Sequence, residues 1–100
     1  MSYAFTQDVP IPWAVYQQIR ANLGDGAPEG LVVHVVIETE KGLRYVDVWE
    51  SEQAFRTFVE TRLHPAVATA LAHAGVSRRP EPQSHPISVR EVWIGKSRAV

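Results

Sequence analysis

Residues 31–50 hold two runs rich in β-branched and aromatic residues, Leu31 to Thr39 (LVVHVVIET) and Leu43 to Glu50 (LRYVDVWE), on either side of Glu40-Lys41-Gly42. β-Branched side chains are stiff at χ1 and fit a pleated surface, so each run reads as a strand. The residues between them form a compact turn, with Gly42 where positive φ is often needed. A hairpin near the middle of a 100-residue chain leaves room for little more than a strand and a helix on either side.

The flanking segments supply those elements. Ala4 to Val9 forms a short strand, broken by Pro10-Ile11-Pro12. Pro12 fits the first turn of a helix, where no amide donor is needed. Trp13, Tyr16, Ile19, Arg20 and Leu23 then recur at helical spacing, and Gly24 is a natural stop. Asp25 to Gly30 contains glycine and proline and reads as a loop. After the hairpin, Ser51 caps a helix with Glu52 in its first turn. Ala54, Phe55, Phe58, Val59 and Leu63 form one stripe, His64-Pro65 interrupts it, and Ala66, Val67, Ala70, Leu71 and Ala74 resume it up to Gly75. This predicts one bent helix or two consecutive ones. Ser77 to His85, with Pro80, Pro82 and Arg78-Arg79, reads as an exposed loop or arm. Pro86 to Ile94 reads as a final strand and Gly95 to Val100 as a tail.

The order β-α-β-β-α-β predicts a single α+β domain of ferredoxin-like type over residues 1–100, with a four-stranded antiparallel sheet and the helices on one face. Along the hairpin, Leu31, Val33, Val35, Ile37, Leu43, Tyr45 and Trp49 share one parity. Val32, Val36, Val46 and Val48 share the other, with His34 and Arg44 among them. Two helices cover only one face, and an uncovered face this apolar favours closure by a second copy. The expectation is a homodimer with sheets packed face to face.

Charge and composition narrow the function classes. The formal net charge is −1 and no long basic run exists, which argues against a nucleic-acid or anionic-membrane surface. An RNA-recognition domain would share this element order, but its basic-glycine-aromatic signature is missing from the hairpin. The chain contains no cysteine, which excludes disulfides, thiolate catalysis and cysteine-ligated metal. His34, His64, His73 and His85 lack metal-ligand spacing, and no metal or other cofactor is expected. The first residues do not form a signal peptide, and the longest apolar-rich run, Leu31 to Ile37, is too short to span a bilayer. A cytoplasmic location is expected.

The segment Val46-Asp47-Val48-Trp49-Glu50-Ser51-Glu52-Gln53-Ala54-Phe55 resembles the strand-to-helix junction of the antibiotic-biosynthesis-monooxygenase-like group, many of whose members carry W-E-S-x-x-A-F there. Gly30 to Val35 and Leu63-His64-Pro65-Ala66 look like a branch of small bacterial members. The resemblance implies a dimeric α+β barrel and, by extension, cofactor-independent oxidation of an aromatic or polyketide-like substrate. Many members place a histidine nine residues after the motif tryptophan, where this chain has Phe58. The related haem-degrading enzymes place a tryptophan there and a haem-ligating histidine ten residues further on, where this chain has Ala68. Haem degradation is therefore not expected.

Two residues are candidates for catalysis. His34 lies mid-strand in an apolar run and titrates near neutral pH, so it suits a general base. Its bland alternative is a satisfied core or interface histidine, bonded to backbone or to a neighbour such as Arg44. Asp47 lies between Tyr45 and Trp49 on one strand face and could accept a proton or a hydrogen bond. Its alternative is pairing with an arginine such as Arg90. Tyr45, Trp49, Trp13, Tyr16 and Phe58 are candidate substrate-binding rings, with Phe55 beside them and Trp93 on the last strand. The same rings would also make an ordinary core. A ligand, if present, is expected to be small and hydrophobic or aromatic. The competing function is a non-catalytic binding or accessory dimer.

Overall fold

The computed structural model describes residues 2–73, 75 and 82–95. The expected loop over 77–81, the tail over 96–100 and Ala74 lie outside the described residues. The elements are β1 (Tyr3–Val9), α1 (Trp13–Leu23), β2 (Leu31–Thr39), β3 (Gly42–Trp49), α2 (Glu52–Phe58), a π-helical turn (Val59–Leu63), α3 (His64–His73) and β4 (Ser84–Pro86). They form an antiparallel four-stranded sheet in the order β2-β3-β1-β4 with the helices over one face. The architecture is α+β and compatible with a ferredoxin-like fold.

The hairpin forms where the β-branched runs predicted it, but its faces differ from the expected parity. Thr39 pairs with Gly42, so the turn is two residues, Glu40-Lys41. A three-residue turn pairs even positions with even ones, whereas a two-residue turn pairs even with odd. Since side chains alternate with period two, that one residue moves the β2 side chains from Val33 to Thr39 to the other face. His34 consequently lies opposite Asp47 and Val36 opposite Tyr45, on the side facing the helices. Val35 and Ile37 turn away from the helices and are exposed. A bulge between Leu31 and Val33 resets the register, so Leu31 still meets Trp49. Gly42 has φ 141°, and a Cβ there would lie 2.5 Å from the Val9 carbonyl oxygen. Only glycine lets the hairpin end approach the end of β1 so closely.

The helical layer has its own apolar seam. Ile19 of α1 packs on Ala66 and Ala70 of α3, with Val15, Leu23, Leu63 and Val67 around them. Two alanines four residues apart lie on one helix face and let α1 come close. The seam is tied at its ends: Arg62 Nη2 donates to the Leu23 carbonyl (2.9 Å) and Asn22 Nδ2 to the Ala66 carbonyl (3.1 Å). The first of these satisfies an end carbonyl of α1 that no intrahelical amide reaches. Ser51 caps α2 by accepting from the Ala54 amide (3.1 Å).

The second helical stretch is interrupted at Val59–Leu63 by a π-helical turn, and Pro65 enters as the second residue of α3. Proline has no amide and its ring crowds the preceding turn, so the strain is absorbed just upstream of it. Thr61 Oγ1 donates to the Thr57 carbonyl there (2.7 Å).

The last strand is shorter than the sequence pattern predicted. β4 covers Ser84–Pro86 only, rather than Pro86 to Ile94. Its register explains why. Phe5 lies opposite Pro86, and the Ile87 amide donates to the Ala4 carbonyl (3.0 Å). Continuing in step, Ser88 would fall opposite Tyr3, the first residue of β1, so a strand reaching Ile94 would have no partner. The 87–95 segment accordingly carries apolar side chains in the open, with Trp93 89% exposed.

Candidate functional site

Between the helical seam and the sheet lies a cavity of about 1070 Å³. The cavity opens to solvent and is therefore a place for water or a ligand, about as large as the larger small-molecule sites. Ile19, Leu23, Val67 and Leu71 line its helical side and Phe5, Leu31, Phe55 and Phe58 its sheet side and floor.

A hydrogen-bonded chain of side chains runs across its sheet wall. Trp49 Nε1 donates to Asp47 Oδ2 (3.0 Å), and Asp47 Oδ1 lies 2.6 Å from His34 Nδ1. A carboxylate only accepts, so His34 carries its proton on Nδ1 toward Asp47. With the ring neutral, Nε2 is left as an acceptor, and the Tyr16 hydroxyl 2.9 Å away is the donor to it. Asp47 is 5% exposed and fully partnered, which is how a buried carboxylate is tolerated. The fold sets each member in place. Cross-strand pairing puts His34 opposite Asp47, and strand alternation puts Trp49 on the same side as Asp47. Tyr16 comes from the face of α1 that also carries Ile19 into the seam.

Tyr45 stands beside this chain. Its ring centroid lies 5.2 Å from that of His34 and 5.7 Å from that of Tyr16, both edge-on. Burial pushes the Tyr45 hydroxyl well above the ordinary tyrosine value, and the neighbouring Tyr16 and Asp47 push the same way. Burial raises Tyr16 too, opposed by Arg20 and reinforced by Asp47. Both folded-state values lie above the unfolded value of about 10. Their contribution to stability is thus complete below pH 10 and is lost as pH rises toward the folded values. Urea unfolding at pH 9 and pH 11 should show stability falling between the two, and Tyr45→Phe should flatten that fall. An equal fall in the variant would mean that other groups control the alkaline limb.

The candidate residues separate into those brought together and those left apart. His34, Asp47, Tyr45, Trp49, Tyr16 and Phe58 all line the cavity. Trp13 does not line it; its ring stacks on Tyr16 (5.2 Å, 15°) at the solvent side. Trp93 lies outside the cavity, although Ile94 next to it reaches the lining. The pairings considered for His34 with Arg44 and for Asp47 with Arg90 are not found. Arg44 instead pairs with its cross-strand neighbour Asp8 (2.7 Å). Gln7, Phe5, Val67 and Leu71 also line the cavity; Val67 and Leu71 were legible only as part of a helical stripe, and Gln7 and Phe5 not as site residues at all. For Phe5 and Gln7 the usable signal was alternation along β1, whose odd positions face the helices.

Among the described residues no group of three histidine, aspartate or glutamate side chains is placed to hold a metal ion, and no helix is long and apolar enough to cross a membrane. Neither a known family model nor a curated protein matches this chain.

Proposed function

We propose that the cavity binds a planar hydroxylated aromatic or polyketide-like molecule, and that His34 acts on it as a general base in a cofactor-independent oxygenation. One observation carries this reading: an imidazole held by a buried carboxylate on one nitrogen and by a tyrosine hydroxyl on the other lies in the wall of a largely apolar cavity. Asp47 fixes the tautomer and steadies the imidazolium that forms, and Trp49 in turn holds Asp47. Since the Tyr16 hydroxyl occupies Nε2, the proton passes through it: Tyr16 takes the ligand's proton as it gives its own to His34. The resulting electron-rich anion reduces dioxygen, and an activated CH2 group plus O2 becomes C=O plus water. The resemblance of residues 46–55 to the antibiotic-biosynthesis-monooxygenase-like group supports the oxidative half.

The protein would act in the cytoplasm as a homodimer. Val35 and Ile37 on the helix-free face and Trp93 and Ile94 in the 87–95 segment are exposed apolar groups that a second copy would cover.

The occupied Nε2 also favours a second reading, in which the protein binds such a molecule without turning it over. The experiment is oxygen uptake with 1,8-dihydroxyanthrone, alongside its binding affinity. Catalysis predicts one O2 consumed per ketone formed and a fall of about 100-fold or more in His34→Gln. Binding without uptake would select the carrier reading, and absence of binding would refute both.

A further inference from the structure

Resting on that reading of the cavity, we infer that the Tyr45 hydroxyl is the hydrogen-bond donor to the ligand oxygen that loses its proton, so that the site selects hydroxyaromatic ligands in their anionic form. Tyr45 lies on β3, a central strand, where its side chain enters the cavity wall from the sheet. The groups around it come from every neighbouring element: Gln7 opposite it on β1, Val36 opposite it on β2, His34 and Tyr16 in ring contact, and Asp47 two residues along.

These neighbours are already committed. Gln7 Nε2 donates to the Pro82 carbonyl, the Tyr16 hydroxyl donates to His34, and both Asp47 oxygens accept, from His34 and Trp49. The Tyr45 hydroxyl makes no hydrogen bond to any described residue. No side-chain nitrogen or oxygen sealed from solvent lacks a partner among the described residues, so this hydroxyl is not sealed, and the side chain that carries it lines the cavity. A phenol held in its neutral form donates a proton to a hydrogen bond and carries no charge to repel an anion. Donors of this kind, fixed in an apolar site, stabilise a developing oxyanion without reorganising. Base and oxyanion donor would thus sit side by side: His34 receives the proton through Tyr16, and Tyr45 holds the oxygen left behind.

The test is an absorbance titration of 7-hydroxycoumarin bound to the full-length protein, since its neutral and anionic forms absorb differently. The probe bound to wild type should ionise about one pH unit below the probe bound to Tyr45→Phe, a roughly tenfold change in the ionisation equilibrium. Binding of 7-methoxycoumarin, which has no proton to lose, should be the same within about twofold in both proteins. Equal titration of the bound probe in the two proteins would overturn the role of Tyr45 while leaving the cavity reading intact. Equal loss of both probes in Tyr45→Phe would make it a packing residue only. Failure of wild type to bind either probe would refute the cavity reading itself.

Discussion

Replacing Asp47 with alanine is expected to lower folding stability by about 3 kcal/mol. The carboxylate is buried and serves two donors, so its removal strands the Trp49 indole N–H and the His34 Nδ1–H together. The indole is the costlier of the two, because Trp49 is only 1% exposed, whereas His34 is half-buried. For a domain this size the loss corresponds to about 15 °C in melting temperature. Asp47→Asn separates the polar effect from the charge. Its amide oxygen can still accept one of the two bonds, and its cost should be nearer 1 kcal/mol. Urea unfolding of both variants measures the difference. An alanine variant as stable as wild type would mean that the Asp47 bonds contribute nothing net to the fold.

Trp49→Ala should have the larger effect, about 3–5 kcal/mol. The indole is among the largest fully buried side chains and packs against Phe55 (5.4 Å between ring centroids) and Phe58 (5.3 Å). Phe55 also contacts Phe5 and Tyr3, so this cluster is the main apolar link between sheet and α2. Removing the indole deletes that packing and leaves Asp47 Oδ2 without its donor. Trp49→Phe keeps most of the ring contact and loses only the N–H, so its cost should approach that of one buried hydrogen bond, about 1–2 kcal/mol. A midpoint shift in denaturant without a change of slope would mark a pure stability effect. Similar losses in the two variants would show that the hydrogen bond outweighs the packing.

The elements that sequence made legible are those with local causes. The β-branched content of 31–39, Gly24 after Leu23 and Ser51 before Glu52 each act within a few residues, and the strand, helix stop and cap follow them. What stayed hidden depends on counting across elements. Whether His34 faces the helices is decided by a two-residue rather than a three-residue turn at Glu40-Lys41, and composition barely distinguishes the two. The failure of 87–95 to pair depends on where β1 begins relative to Pro86. The pairing of His34 with Tyr16 joins residues on a strand and a helix, which periodicity in either one cannot reveal. His34, Asp47, Trp49 and Tyr16 were each readable as candidates, but not that they form one hydrogen-bonded chain.

The α1–α3 seam formed by Ile19, Ala66 and Ala70 is separate from the aromatic cluster around Trp49. The two stabilising centres flank the cavity, and several of its walls, such as Val67, Leu71, Leu23 and Leu31, are only partly buried. Substitutions at these walls alter the shape of the chamber while sparing the most buried side chains. Such a domain can drift in ligand preference over evolutionary time with little penalty to folding, because the residues that choose the guest are largely not those that hold the house together.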